Sequence, residues 1–356
     1  MSTRISKGPV RVLVIDSSAK GAAAIRKALA HDPAIEVVGW APDGETTVAN
    51  ASAVHAGVIV VGHRPASTDA LVAIRHVMHF KPLPVVVVSP VAASGQGTLA
   101  FDLLQAGALS VVVEPWSLPH DEAAAATAQL VQTVTLMSEV KVVRRWRVPV
   151  PPAAYPALPV EPARRPPRRQ VALVAIGAST GGPVALKSIL ARLPGTFPVP
   201  IVMVQHISAG FVDGLARWLS ADSAIPVITA VTGAPLKRGH AYMAPDGVHM
   251  RIAANGTVAL DLEAPVNGHR PAVSCLFRSV AERYGPNAVG ILLTGMGKDG
   301  AAELKLMKDA GAITIAQDEA TSVVHGMPGE AIRCQAATHV MSLDEIATTL
   351  PLLATK

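Results

Sequence analysis

Between Lys141 and Gln170 the chain carries eight prolines and eight basic residues against a single acid, Glu161. Proline removes backbone donors and fixes φ, so this stretch favours extended, solvated chain over a packed core. It reads as a semi-rigid linker (residues 141–170) that separates a block 1–140 from a block 171–356, each of ordinary domain size. It also explains the charge. The formal net charge is +5, but the linker alone supplies a surplus of seven positive charges. The two blocks together are therefore slightly acidic and offer no basic face to nucleic acid.

Half of the residues are hydrophobic, enough for two cores. No apolar run approaches the roughly 20 residues that span a bilayer. Met1–Val10 has neither a hydrophobic segment nor a cleavage site, so a cytoplasmic protein without membrane insertion is expected. Cys275 and Cys334 form no metal-ligand spacing, and a reducing compartment would leave them as thiols.

The first block alternates short apolar runs with helical patterns. Strands are expected at Val10–Ile15, Ile35–Gly39, Val58–Val61, Val85–Ser89 and Leu109–Val113, buried on both faces because their hydrophobicity is continuous. Helices are expected at Ala19–Ala30, Glu45–Ala53, Ala70–Met78 and Thr98–Ala106, with a longer closing helix at Asp121–Val143. Five such units make a doubly wound α/β sheet of flavodoxin-like type, with any site at the carboxyl ends of the strands.

Residues 10 to about 125 resemble a receiver domain of a two-component response regulator. The resemblance implies acidic Mg²⁺ ligands after the first strand, a phosphoacceptor aspartate ending the third, and a hydroxyl and a lysine after the fourth and fifth. In "VLVIDSSA" the first acid is Asp16, but Ser17 stands where a second belongs; "GVIVVGHRP" puts Val61 or Gly62 at the phosphoacceptor; Ser89 keeps the hydroxyl; "VVVEPW" puts Glu114 in the lysine's place. Valine and glycine have no side-chain oxygen to phosphorylate, one carboxylate is a weak Mg²⁺ site, and Glu114 repels a phosphoryl group. A degenerate receiver follows. Asp69 lies beyond the strand end and is not expected to substitute for the missing acid.

The second block restarts the alternation, as a Rossmann-like α/β domain with a mostly parallel sheet. Strands are expected at Val171–Ile176, Pro200–Gln205, Ala288–Thr294 and Ala312–Ala316, and helices at Pro183–Ala191, Phe211–Leu219 and Ala301–Ala310. Between Val227 and Asp261 the pattern alternates and contains Asn255-Gly256, a hairpin signal.

The first of these strands runs into "GASTGG", Gly177–Gly182. This lacks the dinucleotide G-x-G-x-x-G spacing, and the next strand ends in Gln205-His206 rather than an acid, which weighs against a nucleotide-binding oxidoreductase. Gly177-x-Ser179-x-Gly181 fits a nucleophile elbow instead. His206 follows the next strand, and Asp299 lies in "GMGKDG" after a later one; residues just past parallel strand ends converge on one edge. Ser179 as nucleophile, His206 as base and Asp299 as its orienting acid follow. The helix opening near Gly181 would present amides to an oxyanion, with Thr180 and Gly181 beside it. Met296 would line the pocket. His240, His249 and His269 give no i, i+4 zinc pair and are expected in loop or core hydrogen bonds; neither metal nor cofactor is expected.

Residues Ala172 to about Ala347 are similar to the catalytic domain of the chemotaxis protein-glutamate methylesterases, in "IGASTGGPVAL", "VMVQHI", "GHAYMAPDGVHM", "VNGHRPAV", "LFRSVAE", "GILLTGMGKDGA" and "IAQDEATSVVHGMPGEA". The resemblance implies hydrolysis of glutamate γ-methyl esters, and deamidation of glutamines, on methyl-accepting chemotaxis receptors, under a receiver that limits access until phosphorylated. With the phosphorylation groups missing here, either a fixed lid or one displaced by a regulatory protein partner is expected. It puts the family's serine, histidine and aspartate on Ser179, His206 and Asp299. One departure is Ala272 and Ser274, where the family usually has serine and aspartate; it puts substrate positioning in question. A non-catalytic scaffold docking on receptors is the other reading of the same fold.

Overall fold

The computed structural model describes residues 8–64, 68–90, 99–140 and 170–354. The Pro/Arg-rich stretch at 141–169, the expected helix start at Thr98 and the last residues of the expected closing helix lie outside them.

The first block folds as β1 (Val10–Ile15), α1 (Ala19–Leu29), β2 (Ile35–Ala41), α2 (Gly44–Ala53), β3 (Val58–Gly62), α3 (Asp69–Phe80), β4 (Val85–Ser89), α4 (Leu99–Gln105), β5 (Ser110–Val113) and α5 (His120–Met137). Its five strands are parallel in the order β2-β1-β3-β4-β5. The valine- and isoleucine-rich runs of β3, β4 and residues 12–15 of β1 are buried on both faces, as parallel strands covered by helices must be. Side-chain caps set two helix starts: Asp43 accepts the Thr46 N–H at 2.8 Å before α2, and Ser18 accepts the Gly21 N–H before α1. Helix α5 ends at Met137, short of the expected Val143.

The second block comprises β6 (Leu173–Ala178), α6 (Gly182–Leu190), β7 (Ile201–Gln205), α7 (Val212–Ala221), β8 (Val227–Thr229), β9 (Ala241–Met243), β10 (His249–Ile252), β11 (Val258–Asp261), α8 (Val273–Tyr284), β12 (Ala288–Leu292), α9 (Ala301–Asp309), β13 (Ile313–Gln317), α10 (Met327–Arg333), β14 (His339–Met341) and α11 (Leu343–Ala354). Seven parallel strands follow the order β14-β13-β12-β6-β7-β9-β8. The chain leaves β6 in one direction to β7 and later returns on its other side as β12, so the switch point of the sheet lies at β6, where ligands of open α/β sheets bind. The hairpin signalled by Asn255-Gly256 is β10–β11, antiparallel. Upstream of it, β8 and β9 join the main sheet instead, a distinction that three-residue strands do not carry in their sequence.

The two blocks share one apolar cluster. Phe101 of α4 is fully buried, with ring centroids 6.4 Å from Phe211 and 5.6 Å from Trp218 of α7. The Trp218 indole N–H donates to Asp102 at 3.0 Å. Lys187 of α6 lies 3.8 Å over the Trp218 ring and donates to Gln105. On α5, Gln129 donates to Ser208 at 3.2 Å.

Candidate functional site

The register places the site before any side chain does. Ala178 pairs with Gln205 across β6 and β7, and Gly177 pairs with Leu292 across β6 and β12. Ser179 and His206 therefore leave adjacent strands at one level. The Ser179 N–H is held by Thr294 O at 3.0 Å, and the His206 N–H by Ala178 O at 2.9 Å. Gln205, buried at the end of β7, donates from one amide nitrogen to Ser179 O and His206 O, each at 2.8 Å, and so ties the two segments together.

Beyond Ser179 the chain turns into α6 through Gly181, at φ +78. A side chain there would need a conformation that L-residues rarely adopt, and its Cβ would lie 2.6 Å from Val323. Thr180 O accepts the Thr294 hydroxyl at 2.9 Å, which fixes the turn from the other side.

The His206 Nε2–H donates to Asp299 at 2.9 Å, and their side chains are 8% and 1% exposed. Its Nδ1 is buried and has no partner among the described residues. A buried ring nitrogen without a partner costs free energy unless a reacting group claims it. With Asp299 on Nε2, Nδ1 is the ring nitrogen left to take a proton. Among the described residues His206 and Asp299 meet through their side chains, and Ser179 is brought beside them by its backbone without a side-chain hydrogen bond to Nδ1.

Asp299 sits at the start of α8. Its carboxylate accepts the Val273 N–H at 2.7 Å, the Ser274 N–H at 3.2 Å and Asn267 Nδ2 at 3.0 Å, besides His206. Burial pushes this carboxyl upward. The hydrogen bond and charge of His206, with the bonds from Asn267 and Ser274, outweigh it and hold Asp299 well below the usual carboxylate range. It is an anion on the positive end of a helix.

Ala272 and Ser274, where the resemblance implied serine and aspartate, are both buried beneath Asp299 rather than turned to a substrate. The Ser274 hydroxyl accepts the Gly300 N–H and donates to Glu303 at 2.6 Å, and Glu303 is paired with Arg278. The departure falls on the support of the acid, not on a substrate surface.

Two of the three decoy histidines behave as expected. His240 Nδ1 bonds Arg238 O, and His249 lies between the Ala272 N–H and Ala264 O. His269 does not: its ring stacks on His206, centroids 3.9 Å apart and planes within 7°. Burial, and the charge that His206 carries when protonated, push His269 down to about 4 against the attraction of Asp299. Met296 is half-buried and, with Val323, packs against the apolar cluster of the first block that includes Leu130 and Val134 of α5. The approach to Ser179 is thus flanked by α5.

The depressed histidine makes a stability prediction. An unfolded His269 takes its proton near 6.5, the folded one near 4. Between these values the unfolded chain binds more protons, so folded stability falls as pH drops through that window and levels off below it. Burial lowers His63 in the same direction. Denaturant midpoints at about pH 7 and about pH 4.5 should differ, with the acid value lower, and His269→Phe should shrink the gap; equal midpoints would contradict the assignment.

In the first block, Asp16 is buried and its Oδ1 accepts the Ser18 N–H at 2.8 Å and Arg64 Nη2 at 3.1 Å. Ser17 is exposed at the rim of a cavity of about 10 Å³ that Asp16, Val61, Gly62, Arg64 and Asp69 also line. Asp69 thus faces the pocket although it begins α3. A Cβ on Gly62 would lie 2.1 Å from Asp16 Oδ2, and the Val61 side chain is buried in the core. Ser89 Oγ is bonded to His63 Nδ1 at 2.9 Å. Burial raises Glu114, with Arg64 opposing and Asp16 adding to the shift. His63 and Arg64 are the residues that the sequence reading passed over. "GHRP" shows a cation beside the missing aspartate, but only the fold shows that it reaches Asp16.

Among the described residues no group of three or more His, Cys, Asp or Glu is placed to hold a metal ion, and no helix is long and apolar enough to cross a membrane. Both cysteines are free thiols.

An alcohol, an imidazole and a buried carboxylate at neighbouring ends of a parallel sheet are the groups from which serine-type acyl hydrolases are built. Residues 174–350 match the CheB methylesterase family profile. A protein-glutamate methylesterase/protein-glutamine glutaminase of Geobacter metallireducens is 44% identical over 97% of this chain and 99% of its own length. One of Syntrophus aciditrophicus is 44% identical over 97% and 98%. The crystal structure of the Thermotoga maritima CheB methylesterase catalytic domain aligns with 40% identity and a TM-score of 0.50, covering 52% of this chain and 99% of that one. The chain belongs to the CheB family of protein-glutamate methylesterases/protein-glutamine glutaminases.

Proposed function

We propose that the second block hydrolyses glutamate γ-methyl esters on methyl-accepting chemotaxis receptors, and deamidates glutamines there, through Ser179, His206 and Asp299. The observation that carries this reading is His206, pinned by Nε2 to an ionised, buried Asp299 with Nδ1 left unpartnered beside the Ser179 turn. His206 Nδ1 takes the hydroxyl proton as Ser179 Oγ attacks the ester carbonyl carbon. The tetrahedral oxyanion faces the amides at the start of α6, around Thr180 and Gly181. Collapse breaks the carbon–methoxy bond, and the proton from His206 leaves with methanol. Water then attacks the acyl-enzyme by the same proton route and releases the glutamate carboxylate and Ser179. With a glutamine side chain the leaving group is ammonia. Methanol release from a methylated receptor fragment, against Ser179→Ala as control, tests the reading.

The first block serves in this proposal as a receiver-like domain that cannot be phosphorylated. Arg64 pairs with the one remaining acid of the Mg²⁺ position, Gly62 has no room for a side chain, and Ser89 is engaged by His63. Acetyl phosphate with Mg²⁺ should leave the protein unlabelled by mass and its esterase rate unchanged; a phosphorylated aspartate with a matching rise in rate would overturn this. The linker 141–170 then acts as a spacer between domains 1–140 and 171–356. Any switch is left to a protein partner that binds the open arrangement better.

A further inference from the structure

We infer that His269 is a positioning residue for the reaction: its ring, stacked flat on His206, fixes the plane of that imidazole and so the direction in which Nδ1 can take the Ser179 proton. The inference rests on the hydrolase reading above. A histidine base held by one ring hydrogen bond can still rock about that bond. Among the described residues the His206 ring has only the Nε2 bond to Asp299, and its other nitrogen is unpartnered. A parallel ring at 3.9 Å and 7° closes off rocking toward that face.

The chain builds this contact deliberately. Val266 and His269 exchange two backbone hydrogen bonds, at 3.0 and 2.9 Å, which hold a tight four-residue loop. Asn267, within the loop at φ +54, donates to Asp299 at 3.0 Å. One short segment thus holds the acid and covers one face of the base. A small shift of either moves Nδ1 relative to Oγ, and misplacement by about 1 Å costs up to roughly a hundredfold in rate.

The chemistry also favours a neutral stacking partner. When His206 takes the serine proton it becomes a cation, which an uncharged aromatic face attracts and a second imidazolium repels. The charged groups acting on His269 are His206 and Asp299, and burial keeps His269 uncharged until about pH 4. It therefore does not titrate where the base must work.

The test compares full-length wild type, His269→Ala, His269→Phe and Ser179→Ala, by methanol release from a methylated receptor fragment and by ¹⁵N NMR of the His206 ring. His269→Ala should lose about tenfold in kcat with KM little changed, with a shifted pH–rate profile and broadened His206 nitrogen resonances. His269→Phe, a flat ring without a titrating nitrogen, should recover most of kcat and the sharp resonances. A wild type no faster than Ser179→Ala defeats the hydrolase reading, and this role with it. An active wild type matched by His269→Ala in kcat and in the His206 spectrum defeats this inference alone. So does a His269→Phe that melts like wild type yet is as slow as His269→Ala.

Discussion

Ser179→Ala should lower methanol release by roughly a thousandfold or more, and His206→Ala should do the same, with the double variant little worse than either. The size follows from geometry. Removing Oγ removes the proposed nucleophile, which leaves the end of β6 beside His206 at the turn that the chain shapes through Gly181. Removing the imidazole takes away the proposed base, and Asp299 stays engaged by Val273, Ser274 and Asn267 at the start of α8 rather than replacing it. Groups that act as one unit are not additive, so the double variant separates shared chemistry from two independent packing defects. Asp299→Asn is the subtler probe. Its amide could still meet His206 Nε2, but with an NH₂ group where the backbone N–H groups of α8 need an acceptor. Its loss of activity should come with a lower melting temperature. Full activity in Ser179→Ala would end the proposal.

The apolar runs made most strands legible, and the strand ends made the meeting of His206 with Asp299 legible, because residues that share the end of a parallel sheet need no further information to converge. What the sequence did not carry is whatever depends on a loop's path. Gln205 reads as a strand terminus, yet it clamps Ser179 and His206 through its amide. His269 reads as one of several stray histidines until the Val266–His269 loop lays it on the base. Ser274 reads as a change to the substrate surface, yet it is 1% exposed and holds Asp299 from below. Short strands such as β8 and β9 were missed because three residues show no period. Helix α8 was recognisable only as a motif. Its amphipathic face is evident once Val273, Leu276, Phe277 and Val280 are seen buried together.

Removing residues 1–140 should raise the esterase rate about tenfold or more, with the gain in access rather than chemistry. The apolar contacts are the reason. Phe101 is buried against Phe211 and Trp218, and burying a side chain of that size stabilises the closed arrangement by about 1.5–3 kcal/mol. Trp218 with Asp102, Lys187 with Gln105 and Gln129 with Ser208 add hydrogen bonds across the same contact. Met296 and Val323, on the loops flanking Ser179, pack against the cluster that contains α5 residues. On the proposed function, a receptor helix would have to displace these contacts before a side-chain ester reached Oγ. The isolated catalytic domain is a reasonable object to assay, since the Thermotoga maritima relative was crystallised as that domain alone. A small soluble ester needs less room than a receptor helix, so truncation should accelerate it less; equal acceleration would point to a change at the reacting groups. In the full chain, Phe101→Ala should move the rate in the same direction and by less, because it removes one anchor and leaves the hydrogen bonds. Truncation without any gain would mean that the first block serves docking or stability, and that the contacts of α4 and α5 do not limit access.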